Sequence, residues 1–398
     1  MVADNDAGAI STYTESGARF GTTLLWVLVL LLPVVYFVQE KVARLGIATG
    51  EGLVTLIGAR FGPWWGRFCL ADMLLLNFLT LVTEFAAVVL VAEQFGYSPV
   101  VVTIAAAVGL IVLVGTGSYR RWERMTLALC GLNLGWFVLA AMTGPDWRAV
   151  AIDSVAPSMP RGGVTGDLVY LTIAIVGTTI APWQLFFQQS CVADKRLRFA
   201  DLTAARIDTA IGAVAISLFA GCMMLLGDAM FRGGLRYDDP AQMATALMPS
   251  IGHAGRAVLL VLILNAAVLG ATAISLSSAW AWGEGMGWKN TLQARLSEAP
   301  GFYAAYAICT LAAAGLTLLP GAPLQEIIVW VQVLAGIMLP AAIVLLQLLS
   351  NDREMLGPRF VNRPWNNAVN WSVVALLFGL SCLLAVRALL PAWLAVSI

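Results

Sequence analysis

Charge is what this sequence has least of. Only 12% of its 398 residues are Asp, Glu, Lys or Arg, against about 25% in an ordinary soluble domain. That shortage excludes a soluble enzyme and a disordered chain. The 23 basic and 23 acidic residues cancel, so no field exists to hold a polyanion, and nucleic acid is excluded as a partner. Histidine is almost missing. His253 stands alone, in a stretch that reads as a loop, and without a Cys/His cluster there is no zinc-type site. The six cysteines (Cys69, Cys130, Cys191, Cys222, Cys309 and Cys382) form no CxxC pair and read as small buried hydrophobes. The polar first 20 residues lack the basic-then-apolar pattern of a secretory leader.

What the sequence does have is apolar length. It is 60% hydrophobic, with a mean hydropathy of +0.84. Ten long apolar runs follow one another: Leu24–Val38, Cys69–Ala92, Val100–Val114, Leu127–Met142, Leu168–Phe187, Ile211–Leu226, Ala257–Trp282, Phe302–Leu319, Ile327–Leu349 and Val373–Leu390. At 15–26 residues they are too long for barrel strands of about 9–11 residues and suit helices crossing about 30 Å of hydrocarbon. Only helices and closed barrels satisfy the backbone in lipid. The fold class is therefore an all-α polytopic membrane protein, integral to the cell membrane. It forms a single transmembrane domain over 1–398, since the loops leave no room for another.

The basic residues set the orientation. Sixteen of 23 fall in one set of loops (among them Lys41, Arg44, Arg120, Arg121, Lys195, Arg206, Arg353 and Arg363) and seven in the other. The richer side is expected to be cytoplasmic, which puts the C-terminus outside.

Two polar interruptions stand out. One is Asp4-Asn5-Asp6-Ala7-Gly8-Ala9. The other is Gly177-Thr178-Thr179-Ile180-Ala181-Pro182-Trp183-Gln184, inside the Leu168–Phe187 run. Proline removes a helical hydrogen bond and clashes with the preceding turn, so unwinding is expected there. If the first interruption belongs to helix 1, the second falls in helix 6. Transporters built from two inverted five-helix repeats bind their cargo where these two helices break. A carboxylate at one break and free carbonyls at the other make a site for a hard or borderline divalent cation.

Several stretches resemble the NRAMP family of proton-coupled divalent metal transporters, which have a LeuT-like fold. They are Ser16-Gly17-Ala18-Arg19-Phe20-Gly21-Thr22-Thr23-Leu24-Leu25-Trp26, Gln39-Glu40-Lys41-Val42-Ala43-Arg44-Leu45-Gly46-Ile47-Ala48-Thr49-Gly50, Tyr119-Arg120-Arg121-Trp122-Glu123 and Asn351-Asp352-Arg353-Glu354-Met355-Leu356-Gly357. The resemblance implies inverted five-helix repeats over about 1–143 and 167–350, an extra helix over about 369–391, and about 11 helices in all. It implies broken helices 1 and 6, with a half helix ahead of the first motif. Only five residues precede Asp6, so helix 1a is missing from the sequence, and the natural start is expected upstream of Met1.

At the site the match is looser. The family motif Asp-Pro-Gly-Asn reads Asp6-Ala7-Gly8-Ala9 here, and Met-Pro-His reads Ala181-Pro182-Trp183. Carried over position by position, the metal ligands are Asp6, Ala9, Thr178 and Ala181. Gly8, Trp183 and Met338 line the site, with Met338 where the family has a helix 10 glutamine. Loss of the thioether leaves an oxygen site, which weakens preference for Mn²⁺ and Fe²⁺ and also suits Mg²⁺. Glu84, mid-membrane, aligns with an acidic residue of the family's proton path. The family's second acid, one turn earlier, is Leu81, and no charge occurs in Phe302–Leu319, where basic partners are expected. The expected function is a secondary transporter importing a divalent metal cation of the Mn²⁺/Fe²⁺ type, with protons as the coupled ion. Three alternatives stay open: an uncoupled Mg²⁺ transporter of the related branch, a sodium-coupled amino-acid transporter of the same fold, and a non-transporting truncated remnant. The partners are the metal ion, protons and the lipid bilayer, with one copy expected to suffice and no resident cofactor.

Overall fold

The computed structural model describes residues 4–160, 163–358 and 360–389. The chain begins with α1 (Ala7–Phe20), α2 (Leu25–Thr49), α3 (Leu53–Phe61), α4 (Pro63–Gln94), α5 (Pro99–Gly115), α6 (Tyr119–Leu132), α7 (Gly135–Met142) and α8 (Trp147–Val155). It continues with α9 (Gly166–Thr179), α10 (Pro182–Asp194), α11 (Leu202–Gly233), α12 (Pro240–Ala246), α13 (Met248–Met286), α14 (Pro300–Thr317), α15 (Leu324–Leu349), α16 (Arg353–Leu356) and α17 (Pro364–Leu389). Among the described residues, eight helical stretches are long and apolar enough to cross a membrane. Eight of the ten apolar runs lie essentially on one helix each, while Leu127–Met142 is divided between α6 and α7 and Leu168–Phe187 between α9 and α10; the end of the extra helix, residues 390 and 391, falls outside the described residues. His253 departs from expectation: it sits within α13, one residue past a kink at Gly252 (φ 71°), rather than in a loop.

The two interruptions both become helix starts. Asp6 caps α1, its Oδ1 accepting the Ala9 N–H at 2.8 Å, a short-range device that satisfies a free donor of the first turn. The second interruption parts α9 from α10. A residue before proline is pushed out of the helical region, and Ala181 is accordingly extended (φ −63°, ψ 129°), with Pro182 at the first position of α10. Pro33 and Pro340, in contrast, are absorbed inside α2 and α15.

Small residues then bring the broken pieces together. A Cβ on Gly17 of α1 would strike the Met224 carbonyl of α11, and one on Gly227 of α11 would strike the Thr14 carbonyl of α1. The two helices therefore touch backbone to backbone, the contact that small residues permit in lipid. Gly177 of α9 likewise abuts the Gln332 carbonyl and Gly336 of α15, while Gly336 faces the Ile173 carbonyl. Several charges outside this centre are paired. Arg19 meets Glu15 (2.7 Å) and Asp167 (2.9 Å) at one end of the bundle. At the other, Glu40 of α2 is held by Arg44 (3.3 Å) and by Arg206 of α11 (2.8 Å). Buried Lys41 donates to Gln347 (3.3 Å), whose amide donates in turn to Asn367 (2.5 Å).

Candidate metal site

Two carboxylates meet at the N-terminus of α1. Asp6 caps it from within. Glu84 of α4, fully buried, accepts the Ala7 N–H on Oε2 at 3.1 Å, and its Oε1 has no partner. Gly270 of α13 lies behind both. A Cβ there would come within 2.7 Å of the Glu84 carboxyl and 2.8 Å of the Asp6 Cβ. The positive end of α1 offsets part of this negative charge. Among the described residues, no Lys, Arg or His forms an ion pair with either acid. Asp4 and Asn5, just ahead, are also buried, and Asp4 Oδ1 and Asn5 Nδ2 lack partners.

The second break supplies carbonyls. In a continuous helix the Thr178 carbonyl would accept from residue 182, but that residue is Pro182, which has no N–H. The Thr178 hydroxyl is buried and unpartnered as well. The Ala181 carbonyl takes the Gln184 N–H at 3.0 Å and keeps its second lone pair. Tyr13 of α1 ties the breaks together, its hydroxyl 2.7 Å from Thr179 Oγ1.

Gln332 of α15 was not anticipated. Its side chain fills the space beside Gly8, where a Cβ would collide with the amide, and its backbone carbonyl lies against Gly177. One turn of α15 thus flanks both breaks. Gln332 is buried and its Nε2 has no partner. The available signal was a lone amide in the apolar stretch Val329–Leu339. Met338, expected to line the site, instead packs with the Leu76, Val331 and Ala335 cluster between α4 and α15. Trp183 is buried at the head of α10, its carbonyl accepting from Ser277 Oγ (3.2 Å), its ring 6.0 Å from Phe187 and its indole N–H unpartnered.

The structure thus gathers Asp6, Gly8, Ala9 and Glu84 around the α1 start. It sets Thr178, Ala181 and Trp183 at the α9–α10 break, and seats Met338 elsewhere. Among the described residues no three His, Cys, Asp or Glu side chains cluster as a metal cage. An ion held here would need backbone and amide oxygens beside the carboxylates, which is chemistry for hard cations.

The comparisons agree with this architecture. The profile of the Nramp family, described as natural resistance-associated macrophage protein-like, matches residues 1–387. A curated relative, the divalent metal cation transporter MntH 1 of Pseudomonas aeruginosa, is 29% identical over 94% of this chain and 86% of its own length. The MntH transporter of Ralstonia nicotianae is also 29% identical, over 94% and 85%. Among solved structures, the Eremococcus coleocola manganese transporter matches with a TM-score of 0.77 at 20% identity, covering 96% of this chain and 83% of that one. The transporter MhsT, solved with L-phenylalanine, matches at 0.62 and 16% identity over 97% of both chains. The fold is therefore LeuT-like and the protein integral to a membrane, and the chain belongs to the Nramp family.

Proposed function

We propose that this protein is a secondary transporter that moves a divalent metal cation of the Mn²⁺ type across the membrane. The observation that carries the reading is the buried Asp6–Glu84 pair, which lacks a counter-cation and sits at the start of α1, the helix that Tyr13 ties to the α9–α10 break. Two carboxylates in a low-dielectric site are costly without a positive partner. A divalent ion supplies one. Asp6 and the carbonyls of Thr178 and Ala181 bind it, the Gln332 amide turns its oxygen toward it, and Ala9 and Gly8 leave room for its waters. Glu84 is the proton carrier of the cycle, taking a proton when the ion leaves. The relatives named as divalent metal cation transporters support the cargo class.

A second reading, Mg²⁺ transport without proton coupling, has its own observation. The shell holds no sulfur: Ala181 stands at the thioether position, and Met338 packs into the α4–α15 seam. An all-oxygen shell suits a strongly hydrated ion. Proteoliposome uptake with Mn²⁺, Mg²⁺ and Ca²⁺ in competition, recorded together with internal pH, separates the two. The first reading expects Mn²⁺ uptake that acidifies the lumen and loses that acidification in Glu84→Gln. Mg²⁺ outcompeting Mn²⁺ at constant internal pH would support the second. Absence of flux for all three ions would overturn both.

A further inference from the structure

A cavity of about 510 Å³ opens between α2, the start of α11 and the start of α17, away from the metal site. Three guanidinium groups line it (Arg44, Arg206 and Arg363), against one carboxylate, Glu40. Glu40 is already shared: Arg206 donates to its Oε1 through two nitrogens at 2.9 and 2.8 Å, and Arg44 Nε lies 3.3 Å from Oε2. Arg44 is further fixed by the Phe360 carbonyl and by Asn362 Oδ1 (2.6 Å). Arg363 is exposed and its guanidinium has no partner among the described residues. The first turn of α17, a 26-residue helix beginning at Pro364, borders the cavity through Trp365 and Asn366 and contains no acid. Its unpaired N–H groups add a further anion-directed element.

The remaining wall is aromatic. Tyr36, Phe37, Phe199 and Trp365 line the same space, with Phe37 and Trp365 stacked edge to face at 5.1 Å. Trp365 and Phe199 stay about half exposed, at 50% and 57%. Aromatic rings beside arginines are the composition of a membrane–water interface. All three contributing segments belong to the basic-rich side of the chain, the side that faces the anionic leaflet. A net positive cavity with an apolar, bilayer-level wall fits one occupant: a phosphate ester with a hydrocarbon tail.

We propose that this cavity binds an anionic phospholipid from the cytoplasmic leaflet. Its phosphate rests on Arg206, Arg363 and the α17 start, and its acyl chains run along Phe37 and Trp365. Occupancy would clamp α17 to α2 and α11. The inference does not depend on what the protein carries.

Native mass spectrometry of the full-length protein, released from detergent and titrated with phosphatidylglycerol, phosphatidylcholine or inorganic phosphate, tests it. Phosphatidylglycerol is expected to bind tighter than phosphatidylcholine. Removing each arginine should weaken it about fivefold, the effect of one basic residue at an anionic surface. The variants are Arg206→Gln and Arg363→Gln, with Arg120→Gln/Arg121→Gln as a same-side control that should leave binding unchanged. Arg363 has no partner within the fold, so Arg363→Gln keeps the test readable if loss of Arg206 disturbs folding. Equal binding of the two lipids would overturn the proposal, as would equal loss in the control. Inorganic phosphate displacing phosphatidylglycerol at equal concentration would also overturn it, marking a site for the free anion.

Discussion

The C-terminal end of α2 and the start of α1 handle buried charge in opposite ways. At the C-terminal end of α2 the buried charges of Glu40, Lys41 and Arg44 are answered from within the chain. Glu40 has Arg44 and Arg206, Arg44 has Asn362, and Lys41 has Gln347. At the α1 start, Asp6 and Glu84 accept backbone N–H groups and have no ion pair among the described residues, and Gln332, which fills the space beside Gly8, is neutral. Burial is similar in the two places, so depth in the bundle does not separate them. What separates them is where the compensating charge comes from. The α2 cluster is a closed account of structure, and the α1 cluster is left incomplete by the protein itself, which is what a site for a passing cation requires.

Four substitutions test that contrast. The largest effect is expected from Asp6→Ala. Removal of the proposed ligand should lower metal uptake by more than the about 10–100-fold that loss of an outer-shell partner costs, with stability in detergent lowered by no more than the about 0.5–2 kcal/mol of a lost α1 cap. A drop in melting temperature well beyond that would move Asp6 to the structural class. Next is Glu40→Gln, which leaves buried Arg44 without its carboxylate. Breaking a buried pair costs about 3–5 kcal/mol, and the half-exposed Arg206 places this one near the low end, read as a lowered melting temperature. Gly270→Ala comes third. Its Cβ would sit 2.7 Å from the Glu84 carboxyl, so the acids must separate; overpacking of this kind costs about 1–3 kcal/mol, and uptake should fall with it. Unaltered uptake kinetics would show that the spacing of the two acids does not matter. The smallest effect belongs to Arg19→Ala. Arg19 is 46% exposed, so its pairs with Glu15 and Asp167 contribute about 0–1 kcal/mol, and denaturation midpoints should barely shift.

Much of this was legible in sequence, and the unread parts share a cause. Asp6 and Pro182 announce themselves locally, as a polar interruption and as a helix breaker, and the ten apolar runs are long enough to identify helices without any partner. Glu84 was visible as a charge amid apolar residues. Its partner was not, because the Ala7 N–H lies 77 residues away. Gln332 was missed for a related reason. A neutral amide in an apolar helix most often bonds to a neighbouring helix, and only the fold reveals that its neighbour is Gly8, with nothing on Gly8 to receive it. Met338 was placed at the site by alignment alone, and a shift of six positions along α15 carries a side chain to a different seam of the bundle. Pro182 marked where the helix breaks, but Thr178 and Ala181 came from the family resemblance, carried over position by position.

The contact between Gly17 and Gly227 has a mechanical consequence. At this crossing backbone meets backbone, with no side chain between to rotate or repack, so the two helices cannot separate there without opening a void. A tilt of α1 that keeps this contact closed carries α11 with it. Because Asp6 stands at the tip of α1, displacement of the long helix is transmitted directly to one of the two carboxylates at the break.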